Sequence, residues 1–307
     1  MAVCLHVSDE VRDALTERRP VVALESTIFT HGLPRPRGVE VATEAEQRLR
    51  DAGVVPATIG VVDGTAIVGL SGEQITELGT RTGVVKLSVR DLPIALAHKL
   101  SGGTTVAATA HLAHRTGIGV FATGGLGGVH RGAETSYDES ADLVTLASVP
   151  IVVVSAGVKS ILNIPATLER LETLNIAVVG YRTTTFPGFY VRDSGCTLEH
   201  AAHSPDEVAD IVRARDSLGI ASAVLLANPI PPDAELDPQL HERVLREAEQ
   251  QATREGVTGK DTTPYLLDHI HRATGGRSLE VNIAVYRGNV ALAAAIATAL
   301  ATTSSEH

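Results

Sequence analysis

Lys159 stands after the apolar run PIVVVSA and a Gly-Val step, and before SILNIPATLERLETL, which has helical spacing. An amine at such a junction lies near the carboxyl edge of a sheet. Partial desolvation there lowers a lysine pKa and frees the nitrogen for attack on a carbonyl. The plainer alternative is a surface lysine whose stem lies along a helix start. Glu25 ends the run VVAL, where a carboxyl serves as a general acid/base or simply meets water at a strand end. Lys86 lies inside GVVKLSV, and a charge in such a run needs a partner or a ligand anion. The segment ATGGLGGVHRGAE (122–134) has glycine at four of the five positions 124–128, then His130 and Arg131. Glycines let backbone amides approach a phosphate closely. No GK[ST] follows and no dinucleotide context surrounds it, so ATP and NAD readings are weak. Ser101–Thr105 (SGGTT) reads as a second loop of this kind, opening a helix. Asp138 and Asp142, four apart, would share one face of a helix and with waters hold a hard divalent ion. The alternative is an acidic helix start.

Elements of a definite kind must carry these residues. Strand candidates are 20–26, 57–62, 65–70, 83–89, 117–123, 150–156, 175–181, 188–193 and 221–228. Helical spacing runs over 37–52, 71–78, 90–99, 104–115, 159–174, 205–218, 236–255, 261–274 and 278–301. Strands alternating with helices predict one α/β domain over residues 1–307, with a central, largely parallel (mixed) sheet and helices on both faces. Ligands of open α/β sheets collect at the carboxyl ends of the strands. Glu25, Lys86, Thr123, Lys159 and Asn228 all fall just there or close to it.

Composition narrows the function. The chain has 307 residues, 44% apolar and 3% aromatic, with no Trp, so its core is aliphatic. Its net charge of −10 speaks against nucleic-acid and membrane-surface partners. Cys4 and Cys196 form no metal-spaced cluster, and no N-terminal leader is evident, so free thiols and a cytoplasmic location are expected. The Ala-rich run VALAAAIATALA is short for a bilayer span. His111/His114 and His269/His271 come without HExxH or cysteine partners, which disfavours zinc. No GxSxG is present, which disfavours a serine hydrolase. The residues alone point to an enzyme acting on a small phosphorylated compound, with a sugar kinase and a phosphosugar-binding regulator as rivals.

The assembled motifs resemble the pseudouridine-5′-phosphate glycosidase family. The resemblance is carried by VALESTIFTHGLPRP (22–36), PATIGVVDGTAIVGL (56–70), VKLSVRDLP (85–93), residues 102–143, VVVSAGVKSILNIPATLERLETL (152–174), ANPIP (227–231) and LEVNIAVYRGNVALAAAIA (279–297). It implies Lys159 as imine-forming nucleophile and Glu25 as proton donor. It implies Asp138 as ligand to a divalent ion, usually Mn²⁺, largely through waters. Substrate contacts are implied for Lys86, Val106, Ser140, Ala141, Asp142 and Asn282. The 5′-phosphate is expected at Lys86 and neighbouring loop amides, with Thr123 and His130. The implied reaction is reversible C–C glycosidic cleavage to uracil and ribose 5-phosphate, in pseudouridine catabolism, by a homotrimer of the lyase type. Tyr137 stands where Phe is common, and 232–262 matches less distinctly.

Overall fold

The computed structural model describes residues 5–257 and 262–302. Among them eleven strands form one sheet: β1 (Leu5–Val7), β2 (Val21–Glu25), β3 (Val55–Val62), β4 (Thr65–Val68), β5 (Val85–Leu87), β6 (Gly102–Thr104), β7 (Val120–Ala122), β8 (Val152–Ser155), β9 (Ala177–Tyr181), β10 (Ala201–Ala202) and β11 (Val224–Ala227). The spatial order is β1-β4-β3-β2-β7-β8-β11-β9-β10, with β6 joined to β3 and β5 to β6. Only the β3–β4 and β3–β6 pairings are antiparallel. The expected mixed, largely parallel sheet is present.

Period-two alternation divides each central strand between two cores. Val21 and Ala23 of β2, Phe121 of β7 and Leu225 of β11 face one core, with Val106, Ala110 and Leu143 from helices above it. Val22, Leu24, Val120 and Leu226 face the other, with Val41, Leu49, Val208 and Tyr286. Helices therefore cover both faces, and the strands are apolar on both sides, as buried parallel strands must be.

Register does the positioning. Leu24 of β2 pairs with Ala122 of β7, Ala122 with Val154 of β8, and Val154 with Leu226 of β11. The next residues, Glu25, Thr123, Ser155 and Ala227, therefore emerge side by side at one edge.

Several local expectations are corrected. SGGTT is not a phosphate loop: Gly102–Thr104 is strand β6. Its glycines are required by packing, since a Cβ at Gly102 would lie 2.4 Å from Leu87 Cδ1 and one at Gly103 2.2 Å from Thr30 Oγ1. GFYVRD (188–193) forms no strand. Phe189 has φ 68° and Gly188 N–H donates to Val191 O at 2.9 Å, which folds the segment into a turn. The helix after Lys159 spans Ile164–Thr173, capped by Asn163 Oδ1 accepting from Ala166 N–H at 3.1 Å. Lys159 itself lies in the preceding turn. The N-terminal β1 and the helix Asp9–Thr16 were not anticipated.

The last helix, Arg277–Thr302, has 26 residues and is long and apolar enough by composition to cross a membrane, which the shorter Ala-rich run did not indicate. It is a core helix: 56% of its most apolar window is buried, with Tyr286, Val290 and Ile296 packed in the second core. Cys4 lies outside the described residues, and Cys196 is a free, partly buried thiol.

Helix Arg37–Asp51 is tied to β3 by Glu46, whose carboxyl accepts from Thr58 Oγ1 at 2.6 Å. Burial raises the Glu46 pKa, and the Thr58 hydroxyl and Arg50 offset this in part. The folded state thus holds this proton more tightly than the unfolded chain. Stability from this group is greatest at low pH and declines as pH rises from the ordinary carboxylate range through the folded-state pKa. Glu46→Gln keeps an acceptor for Thr58 and removes that decline. Its melting temperature relative to wild type should rise between pH 4 and pH 7 in thermal scans.

Candidate active site

Glu25 sits at the end of β2, only 7% exposed. A buried carboxyl needs donors, and two threonine hydroxyls supply them: Thr27 Oγ1 and Thr123 Oγ1 each donate to a different Glu25 oxygen. Thr123 is placed for this by the β2–β7 register. Behind them Ser26 Oγ accepts from Thr104 N–H at 2.8 Å, and Thr104 Oγ1 donates to Ile59 O at 2.7 Å. Buried hydroxyls thus tie the end of β2 to β6 and β3.

Lys159 is half-buried, in the turn that follows β8. Its N–H donates to Leu126 O at 3.0 Å, and Leu126 N–H donates to Gly157 O at 3.0 Å. These two bonds zip the post-β8 turn to the glycine-rich loop. Gly157 makes the turn at φ 78°, with its missing Cβ site 2.8 Å from the Phe186 ring.

Lys86, on the short strand β5, has a solvent-reachable side chain yet is ringed by protein atoms, as on the wall of a cleft. Burial first, then the nearby charge of Lys159, pushes its pKa below the usual lysine range, while Asp142 and Glu25 pull it back. Backbone bonds set the Lys159 turn against the loop that carries Thr123, the partner of Glu25, and Asp142 ties the same loop to helix Val106–Arg115. His31, in the THG turn after β2, is lowered by burial and then by Lys86.

Asp142 is nearly buried and serves the backbone. Its Oδ1 accepts from Ala107 N–H at 2.9 Å and its Oδ2 from Gly127 N–H at 2.8 Å. One carboxylate thereby joins the first turn of helix Val106–Arg115 to the glycine-rich loop. Gly127 leaves room for this, since its Cβ site lies 2.2 Å from Ser140 Oγ. Ser140 caps helix Ala141–Leu146, its Oγ accepting from Asp142 N–H at 3.2 Å. Asp138 precedes that helix, so Asp138 and Asp142 share no helix face. The Asp138 carboxylate is 42% exposed and lies 4.0 Å from His130 Nδ1. Both line a cleft of about 660 Å³ with Tyr137, Ile161, Glu249 and Thr253. Asn282, on the last helix, places Oδ1 3.4 Å from the Cβ site of Gly124.

Two pairings depend on tertiary contacts that sequence spacing does not show. Arg131 pairs with Glu249 at 2.6 Å, bringing helix Pro238–Arg254 to the cleft. Asn289, 1% exposed, binds the carbonyls that follow β7. A lone amide in the apolar stretch NVALAAAIA was its available signal.

The arrangement offers a buried acid held by two hydroxyls, beside a glycine-rich loop whose backbone also holds the Lys159 turn. The sequence profile described as indigoidine synthase A like protein matches residues 10–299. This chain belongs to that family. Its members include a pseudouridine-5′-phosphate glycosidase of Saccharopolyspora erythraea, 68% identical over 96% of this chain and 97% of that protein. Another, from Caldanaerobacter subterraneus subsp. tengcongensis, bears the same name and is 46% identical over 96% of each chain. Among solved structures, the prealnumycin C-glycosynthase AlnA in complex with ribulose 5-phosphate superposes with a TM-score of 0.93, at 37% identity and full coverage of both chains. An indigoidine synthase A-like protein of Thermotoga maritima gives 0.88 at 37% identity, over 97% of each chain. The sheet and its helical layers are therefore the indigoidine synthase A-like fold.

Two outcomes test the site geometry. Asp142→Asn leaves one acceptor for two amide donors, and should lower stability by about 1–3 kcal/mol in chemical denaturation. The chain has four lysines, so methylated Lys86 can be followed by ¹³C NMR. Lys159→Met removes a neighbouring positive charge, and Lys86 should then titrate at higher pH than in wild type. An unchanged titration would mean the two amines do not share a cleft.

Proposed function

We propose that the protein cleaves, and in reverse forms, the C–C glycosidic bond of pseudouridine 5′-phosphate, interconverting it with uracil and ribose 5-phosphate. The observation that supports this reading is the buried Glu25 carboxyl held by Thr27 and Thr123 at the sheet edge, next to the glycine-rich loop whose Leu126 carbonyl anchors the turn bearing Lys159. The relatives' names supply the substrate, and the ribulose 5-phosphate complex of the C-glycosynthase supports a pentose phosphate in this fold.

A carbon leaving group gives an enzyme no heteroatom to protonate. The Lys159 nitrogen supplies the missing push, its lone pair forming an imine as the bond to carbon breaks. In the proposed sequence the C1′–O4′ bond of the ribose breaks as Glu25 gives its proton to O4′, and the Lys159 nitrogen bonds to C1′. Glu25 takes a proton from the attached Lys159 nitrogen and passes it to uracil C5, which keeps the electron pair of the C1′–C5 bond as the nitrogen lone pair closes the imine to C1′. Water adds to the remaining imine, releasing ribose 5-phosphate and the free amine. Thr27 and Thr123 hold the Glu25 carboxyl in one orientation for these transfers. Lys86 takes the 5′-phosphate with His130 and the Val106 amide, while Ser140, Ala141 and Asn282 line the base and sugar. Phosphate binding then supplies orientation away from the reacting bond.

The donors around Asp138 fit a water-rich divalent ion, Mn²⁺ in this proposal. Glu139 pairs with Arg170 at 2.9 Å and Asp142 with backbone amides, which leaves Asp138 to hold the ion largely through waters. No group of three or more His, Cys, Asp or Glu side chains suited to a metal occurs among the described residues. Bound there, the ion would contribute positive charge and ordered waters beside the glycine-rich loop. We further propose catabolic use in the cytoplasm and a homotrimer, with the groove lined by Ala291, Ala295 and Pro205 between subunits.

Uracil release from pseudouridine 5′-phosphate, absent with unphosphorylated pseudouridine and dependent on Mn²⁺, is the expected result. Asp138→Ala should abolish the Mn²⁺ dependence along with most activity. Lys159→Met should lower turnover by ~10³-fold or more in a folded protein. Borohydride with ribose 5-phosphate should leave a mass adduct on Lys159, and an adduct elsewhere would refute its role as nucleophile.

A further inference from the structure

The carbonyls of Thr123 and Gly124 both turn toward the last helix. Asn289 Nδ2 donates to Thr123 O at 2.7 Å and to Gly124 O at 3.2 Å. Gly124 O also accepts from Ala156 N–H at 2.9 Å. At the other end of the same amide, Asn289 Oδ1 accepts from Asn228 Nδ2 at 3.0 Å, which fixes the orientation of the Asn289 side chain.

In a trans peptide the C=O and the following N–H point opposite ways. The N–H groups of Gly124 and Gly125 therefore point away from Asn289. Both glycines are buried, yet neither N–H has an acceptor among the described residues. Their neighbours are bonded normally: Thr123 N–H to Val154 O and Leu126 N–H to Gly157 O, both at 3.0 Å. The ladder between β7 and the post-β8 turn skips these two donors. Buried backbone N–H groups without partners are rare in folded proteins, and two in succession call for an acceptor from outside the chain. The pair is flanked by Thr123, whose hydroxyl donates to Glu25, and by Leu126, whose carbonyl holds the N–H of Lys159.

We propose that the Gly124 and Gly125 N–H groups form a donor pair for a ligand oxygen carrying negative charge, and that Asn289 is the positioning residue that aims them. The inference rests on the reaction proposed above. Two substrate oxygens have this chemistry: the uracil carbonyl oxygen, on which charge builds as the C–C bond breaks, and a phosphate oxygen. In either case two preorganised amides need no rearrangement when the charge appears. Glycine suits both positions. A Cβ at Gly125 would lie 2.7 Å from the Phe189 ring, and at Gly124 the missing Cβ leaves the approach open beside Asn282.

The test uses full-length wild type labelled with ¹⁵N-glycine, titrated separately with uracil, ribose 5-phosphate and inorganic phosphate. The Gly124 and Gly125 amide protons should shift downfield with at least one. A response to uracil identifies the base carbonyl, and a response to inorganic phosphate identifies the phosphate. Immobility of both amides at saturation with all three overturns the donor pair. Asn289→Leu should lower kcat by ~10²–10³-fold with little change in KM. Asn289→Asp, which retains an acceptor for Asn228 but no donor, should behave alike. Wild-type kcat in folded Asn289→Leu overturns the positioning role; if that variant does not fold, the wild-type titration still decides. Uracil release by wild type is scored separately, so a failed reaction with moving amides removes the substrate assignment and leaves the donor pair standing.

Discussion

β2, β7, β8 and β11 run side by side in the same direction and in a register that ends them together. Everything chemical in this protein depends on that shared edge. A slip of one residue would turn every side chain to the opposite core, and the apolar demands of both cores forbid it. The same slip would carry Thr123 away from Glu25 and the post-β8 turn away from the glycine-rich loop. Packing energy spread over two aliphatic cores thus fixes distances between a few polar atoms at the rim.

At that rim, two nearly buried carboxyls take opposite parts because their partners differ. Glu25 faces two hydroxyls, groups that can rotate and accept as well as donate. Asp142 faces two backbone amides, which only donate and cannot move. The first setting keeps a partner on each oxygen while the hydroxyls remain free to turn. The second holds two segments together. The amines divide similarly, with Lys159 fixed through its backbone in a turn and Lys86 lodged on a short strand.

The layered sheet was legible because period-two apolar runs alternate with helical ones, and those patterns leave few other solutions. Glu25, Thr123 and Lys159 were legible as residues that follow such runs. The failures came where glycine has two meanings. In SGGTT it makes room for Leu87 and Thr30 within a sheet; in ATGGLGG it leaves backbone donors open. Composition cannot separate the two, since only the tertiary neighbour decides. The Asp138–Asp142 spacing misled similarly, because a cap at Ser140 divides the pair between loop and helix. Asn289 was invisible for a different reason: the carbonyls it binds lie more than 160 residues away.

That separation bears on how the molecule is born. Asn289 belongs to the last helix, and its bond to Thr123 closes a span of 166 residues. Synthesis proceeds from the N-terminus, so the strand carrying Glu25 and the turn carrying Lys159 leave the ribosome well before the helix that props the glycine-rich loop. Long-range contacts also form late in folding. A chain that lacks this helix thus holds Lys159 without the part that completes its surroundings. The helix acts as a closing seal on a rim whose other pieces are made before it.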